Sequence, residues 1–201
     1  MKTAILGGTF NPPHWGHLML AELAYCEAGY EQLLLVPTRK PAHKIIAGAT
    51  DEQRLTMLSL ALENFSVPGL KIAIETCELY RPGVSYSIDT VACVEKLYPL
   101  EGKPGLLLGD DLFETFDQWK DAPSIAEKAD LWVARRKYSD PLPSKFPHQY
   151  FRNPIVGVSS SEIRERVARL DVWRALLPPS VARYVSEQGL YRKGLAEGAR
   201  E

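Results

Sequence analysis

With 201 residues, the chain has the length of one domain and enough material to bury a core. Hydrophobic residues make up 45% and charged residues 24%, with 24 Lys and Arg against 25 acidic side chains for a net charge of -1. That balance excludes a histone-like nucleic-acid binder, and no apolar run approaches the roughly 18 residues of a membrane span, so neither nucleic acid nor membrane is expected as a partner.

The first predicted element is Thr3–Leu6, an apolar run that stops at Gly7-Gly8 as a buried parallel strand would. From Gly16 to Ala28, the residues Leu18, Leu20, Ala21, Leu23 and Ala24 follow helical spacing, and Gly29 ends the pattern. Leu33–Val36 reads as a second buried strand closed by Pro37, so the chain opens with a unit of βαβ size. After a polar stretch from Pro37 to Thr50, Asp51 is expected to cap a helix reaching about Asn64, with Leu55, Leu58 and Leu62 on one face. A strand near Leu70–Ile74, a helix from about Ile88 to Tyr98, and strands at Gly105–Leu108 and Leu131–Ala134 follow. Ser139–Asn153, rich in proline and aromatics, reads as a surface loop. A last strand at Ile155–Val158 is expected to lead into a helix capped by Ser159 or Ser160, and Pro179 to about Gln188 forms the final helix.

This alternation predicts a doubly wound, mostly parallel α/β sheet with a small C-terminal helical part. A single domain over residues 1–201 is expected, with a core of about 1–158 and a C-terminal segment of about 159–201. Two compositional features go with it. Residues 1–130 carry 11 basic and 18 acidic side chains, and residues 131–201 carry 13 and 7. Either the two parts attract each other or the later one supplies cations to an anionic ligand. Cys26, Cys77 and Cys93 form no CxxC pair, which points to a reducing cytoplasm rather than to disulfides or a zinc knuckle.

Ligands of such sheets bind beyond the C-terminal strand ends, so the residues after each strand are the candidates. The first strand delivers Gly7-Gly8-Thr9-Phe10-Asn11-Pro12-Pro13-His14-Trp15-Gly16-His17. The glycines allow a tight turn and close backbone approach, but neither a GxGxxG fingerprint nor a P-loop is present. Instead His14 and His17 stand at a helix entrance, three residues apart and therefore on one side of it. Imidazoles, free N–H groups and the positive helix end suit a phosphate whose charge grows in a transition state. The same pair also fits a cap plus a buried histidine, or half of a zinc site, although His43 and His148 offer no ligand spacing and HExxH is absent.

The segment GGTFNPPHWGH resembles the signature of the HxGH nucleotidyltransferase superfamily. Val158-Ser159-Ser160-Ser161-Glu162-Ile163-Arg164 is similar to the second element of that superfamily, ISSTxxR, and stands in the expected order. Three further stretches resemble the bacterial nicotinate-nucleotide adenylyltransferases: Pro41-Ala42-His43-Lys44 their PPHK loop, Ser85-Tyr86-Ser87 with Thr90 their SYT segment, and Gly109 to Trp119 their GxDxLxxFxxW pattern. Ala42, Ser87 and Lys120 depart from the usual proline, threonine and aromatic or histidine. The resemblance implies a Rossmann-like nucleotidyltransferase fold and adenylyl transfer from ATP to nicotinate mononucleotide, with Mg²⁺ accompanying ATP. It implies that His14 and His17 are catalytic. It assigns Gly7, Gly8, Thr9, Phe10, Lys44, Gly109, Asp111, Ser159, Ser160 and Arg164 to ATP. Tyr86, Ser87, Trp119, Lys120 and Arg136 go to the acceptor mononucleotide, with Trp119 stacking on its pyridine ring.

Overall fold

A computed structural model describes residues 1–42 and 48–192. Its sheet has six strands, β1 (Thr3–Gly8), β2 (Gln32–Pro37), β3 (Lys71–Ile74), β4 (Gly105–Gly109), β5 (Asp130–Ala134) and β6 (His148–Tyr150). All pairings are parallel, and the spatial order is β3-β2-β1-β4-β5-β6. The chain winds outward from β1 to β3 and then returns to start again at β4. The reversal of order between the neighbours β1 and β4 opens a crevice at their C-terminal ends.

The strands are apolar on both faces because helices cover both. Every residue of β2 is buried. Side-chain alternation sorts the strands into two cores. Ile5, Leu34, Val36, Leu106 and Leu108 face one way, onto Val91 and Val94 of α4 (Ser87–Leu97) and Ile125 of α6 (Ala122–Lys128). Ala4, Leu6, Leu33, Leu35 and Leu107 face the other way, onto Leu20, Ala21 and Ala24 of α1 (Trp15–Cys26). A third core joins α2 (Asp51–Leu62) to α7 (Ser160–Ala168) and α8 (Pro179–Glu187) through Met57, Ala61, Ile163, Val167, Val181 and Val185. The Ser180 hydroxyl adds a 2.7 Å hydrogen bond to the Leu60 carbonyl.

Several expectations are corrected. The last strand is His148–Tyr150, inside the stretch read as a loop, while residues 155–158 form no strand. Beyond Tyr150 the chain makes one more sheet bond, from the Phe151 N–H to the Val133 carbonyl. Asn153 then binds the backbone of Arg135 through both ends of its amide, at 3.0 and 2.8 Å, and leads the chain away. Val158 is thereby freed for the third core. Thr50, rather than Asp51, caps α2: its hydroxyl accepts the Gln53 N–H at 3.2 Å, and the Gln53 side chain accepts the Thr50 N–H at 3.0 Å. The buried stripe of α2 is Arg54, Met57, Leu58 and Ala61, with Leu55 and Leu62 only half-buried. Two short helices, α3 (Cys77–Tyr80) and α5 (Asp110–Phe113), and the helix α6 lack the length to show a sequence period.

Candidate active site

Gly7 and Gly8 are extended and paired with Val36 and Pro37, so the turn comes later than their sequence suggests. It begins at Phe10, which takes a left-handed conformation (φ 46°) and is wholly buried. The Phe10 ring folds back over Gly8, where a Cβ would lie 3.4 Å from it. The turn delivers His14 as the cap residue of α1, outside the helix rather than on its face, and His17 in the first turn. Their rings nevertheless meet, with centroids 3.9 Å apart, and His17 also packs on Phe10 at 4.9 Å. Gly16 is required between them. A Cβ there would sit 3.0 Å from His14 Nδ1 and 3.3 Å from Val158.

The two imidazoles differ in their proton chemistry. The His14 backbone N–H donates to His17 Nδ1 at 3.1 Å, so a neutral His17 carries its proton on Nε2 and presents that N–H as a donor. His14 is 3% exposed, and its Nδ1 has no hydrogen-bond partner among the described residues. Burial, reinforced by the nearby Arg136 guanidinium, lowers its pKa from 6.5 to about 3. It is therefore neutral at physiological pH.

The opposite wall comes from β4, β5 and α7. Arg136, after β5, lies across Gly109 to pair with Asp111 at 3.2 Å, and it donates to the Val158 carbonyl at 3.3 Å. Gly109 must lack a side chain here, because a Cβ would fall 2.6 Å from Arg136 Cδ and closer still to the Asp111 carboxylate. Ser159 caps α7 by accepting the Glu162 N–H at 3.1 Å. The Ser160 hydroxyl donates to the Pro12 carbonyl and Arg164 to the Asn11 carbonyl, both at 2.8 Å. The two motifs thus share one cleft, and His14, His17, Arg136 and Val158 line a small pocket within it.

A second group gathers at the start of α4. Tyr86 caps that helix and Ser87 is its first residue. The Lys120 ammonium lies 4.3 Å from the Tyr86 ring centroid and 3.8 Å from Asp89, which joins the Trp119-Lys120 turn to α4. Trp119 packs on Phe116, with centroids 5.3 Å apart, at the edge of the first core, and its buried indole N–H has no hydrogen-bond partner among the described residues. Behind them, Thr90 donates to buried Glu78 at 2.5 Å and accepts from Arg81 at 3.2 Å. Tyr86, Ser87, Trp119 and Lys120 therefore form one group. Arg136 stands apart from them, with the histidines, and Lys44 lies outside the described residues.

Sequence reasoning passed over three residues that hold the cleft. The buried Asp110 carboxylate accepts the backbone N–H groups of Lys137 and Tyr138, each at 3.0 Å, and so ties the ends of β4 and β5 together. Tyr191 donates to Asn11 Oδ1 at 2.7 Å from the far end of the chain. Arg54, with a fully buried side chain, donates to the Thr9 carbonyl at 2.7 Å and to Asp51 at 2.6 Å. Only Arg54 left a sequence signal, as a charge in register with the apolar stripe of α2. Among the described residues, no group of three or more His, Cys, Asp or Glu is placed to hold a metal ion, and no helix is long and apolar enough to cross a membrane.

The fold, with its switch-point crevice lined by paired imidazoles and a guanidinium, is that of the nucleotidyltransferases, and the chain belongs to the Cytidylyltransferase-like family, which matches residues 5–166. More narrowly, it falls among the nicotinate-nucleotide adenylyltransferases. It is 44% identical to the "probable nicotinate-nucleotide adenylyltransferase" of Borrelia garinii subsp. bavariensis, over 96% of each chain. The protein of the same description from Desulfitobacterium hafniense strain DCB-2 is 34% identical over 95% of this chain and 96% of its own. Among solved structures, nicotinic acid mononucleotide adenylyltransferase of Plasmodium falciparum, complexed with NaAD, superposes with a TM-score of 0.80. At 20% identity over 95% of this chain and 98% of that one, the likeness is one of fold.

Proposed function

We propose that the protein joins ATP and nicotinate mononucleotide to give nicotinate adenine dinucleotide and pyrophosphate. An oxygen of the acceptor phosphate attacks the α-phosphorus directly. The new P–O bond forms as the bond to the β-phosphate bridging oxygen breaks, and pyrophosphate leaves with that electron pair. A phosphate monoester is already a competent nucleophile, so catalysis reduces to positioning and charge stabilisation. The observation that carries this reading is the contact of the His14–His17 turn with the start of α7, made through Ser160 and Arg164.

His17 Nε2–H and neutral His14 serve as donors to the α-phosphoryl oxygens as their charge grows. Gly7, Gly8, Thr9 and Phe10 supply backbone at the phosphates, and among the described residues a Cβ at Gly7 would meet nothing within 4 Å, which suits close approach of a ligand there. Arg164, Ser159 and Ser160 serve the outer phosphates, joined by Lys44. Ser160 spends its hydroxyl proton on Pro12 and so meets the phosphates through its backbone N–H at the start of α7, whereas Ser159 accepts the Glu162 N–H and keeps its O–H to donate. Arg136, paired with Asp111 across Gly109, serves the phosphates rather than the pyridine. Mg²⁺ enters as part of the ATP substrate and is held by phosphate oxygens and water; the carboxylates nearby are engaged, Asp110 by backbone N–H groups and Asp111 by Arg136. The C-terminal segment from Ser159 onward completes the ATP site in this scheme. The three free thiols suit a reducing cytoplasm, where we place the reaction.

Trp119 stacks on the pyridine ring, and the backbone N–H groups near Ser87 and Lys120 meet its carboxylate. An amide would turn an N–H₂ toward some of those donors. Pyrophosphate release from ATP, measured with nicotinate and nicotinamide mononucleotides side by side, tests this. The acid is expected to be preferred by at least about tenfold in kcat/KM. The opposite ranking overturns the acceptor assignment.

A further inference from the structure

The turn from Thr9 to Pro13 is held by three of its carbonyls, one from α2 and two from α7. Arg54 holds that of Thr9, Arg164 that of Asn11 and Ser160 that of Pro12. The latter two peptides lead into Pro12 and Pro13 and so carry no N–H. Of the three held peptide planes, only Thr9–Phe10 has a donor. In a planar trans peptide the C=O and N–H point in opposite directions. Holding the Thr9 oxygen toward α2 therefore directs the Phe10 N–H away from α2. Phe10 itself is left-handed and buried, a conformation that the surrounding contacts must impose.

Arg54 is built for that purpose. Its side chain is wholly buried, its two terminal nitrogens reach Thr9 and Asp51 at 2.7 and 2.6 Å, and its Nε has no hydrogen-bond partner among the described residues. Asp51 is half-exposed, so the cation is only partly neutralised beneath the turn. A buried guanidinium with an unmet donor is costly, and a leucine would pack α2 at no such cost.

We propose that Arg54 is a positioning residue for ATP: its fork sets the Thr9–Phe10 peptide plane and thereby aims the Phe10 N–H at the phosphates. This rests on the adenylyl-transfer reading, in which the turn binds triphosphate. The group acts by direction as well as charge, so Arg54→Lys, which keeps the cation and loses the fork, is the decisive variant. Calorimetric titration with ATP and steady-state pyrophosphate release are the readouts. The Kd and KM for ATP are expected to rise about tenfold in Arg54→Lys and at least as far in Arg54→Met, the scale of one charge-assisted hydrogen bond. The acceptor KM is expected to stay within about twofold. A residue that merely supported the fold would lower the melting temperature and leave the ATP Kd of the folded protein unchanged; that result overturns the proposal. Should the Arg54 variants fail to fold, Asp51→Ala releases the other end of the fork from the surface. It is expected to raise the ATP Kd about threefold, and an unchanged Kd overturns the proposal equally. ATP binding is read without any acceptor. If the wild type binds ATP yet makes no pyrophosphate with nicotinate mononucleotide, the acceptor reading fails while the Arg54 test stands.

Discussion

The two ends of the cleft are built differently. At the histidine end, residues 9–13 are gripped by partners from 45 to 180 positions away, each through a bond of 2.7 or 2.8 Å. At the Trp119 end, Lys120 reaches Tyr86 and Asp89 across 4.3 and 3.8 Å, and the indole N–H has no partner among the described residues. The first arrangement is rigid before any substrate arrives, as stabilisation of a developing charge requires. The second relies on packing and long contacts, which tolerate adjustment around a flat ring. Under the proposed function, the chemistry is preorganised and recognition of the acceptor falls to a softer surface.

That contrast makes a ranking of effects. Replacing His17 by Ala should cost about 10²–10³-fold in kcat, with little change in either KM, because a donor to the transition state is lost. Near-normal turnover would break the claim of preorganisation. Trp119→Ala should act on the other end, raising the acceptor KM by about 10- to 100-fold through lost stacking and leaving the KM for ATP alone. A rise in both would mean that the ends are not separate.

The buried imidazole sharpens the comparison through pH. His14 titrates at about 3 in the native state against 6.5 ordinarily. Between those values the unfolded chain binds a proton that the native chain refuses, so its contribution is complete above pH 6.5 and is lost as pH falls toward 3. The unfolding free energy of the wild type in urea titrations should fall below pH 6.5 by up to about 1.4 kcal/mol per pH unit more than that of His14→Asn. Parallel curves would deny that His14 is held neutral. Ser160→Ala removes one tie to the turn and should cost about 1 kcal/mol of stability, seen in chemical denaturation. Lys120→Met should be the mildest, changing the acceptor KM about twofold, since its contacts are exposed and long.

Much of this was legible beforehand for a physical reason. The buried strands β1, β2, β4 and β5 are continuous apolar runs, and the helices α1 and α4 show their period over 12 and 11 residues. The motif residues follow strand ends, where sheet topology always gathers a site. The His148–Tyr150 strand escaped because three residues next to proline-rich chain carry no period, and Ile155–Val158 misled because Val156 and Val158 serve the third core instead while Ile155 stays exposed. Asp51 lost the cap to Thr50, whose reciprocal bond with Gln53 is a local pattern that the residues themselves contain.

By itself, the order of residues determined the alternation of strands and helices, the cleft at their ends and the two motifs that meet there, since all of these follow from short-range periodicity and chain direction. Only the tertiary structure decided that Arg54 lies beneath the turn, that Arg136 joins the histidines rather than the tryptophan, and that His14 is neutral. Burial and hydrogen bonding between residues far apart in the chain set those outcomes, and no local pattern encodes them.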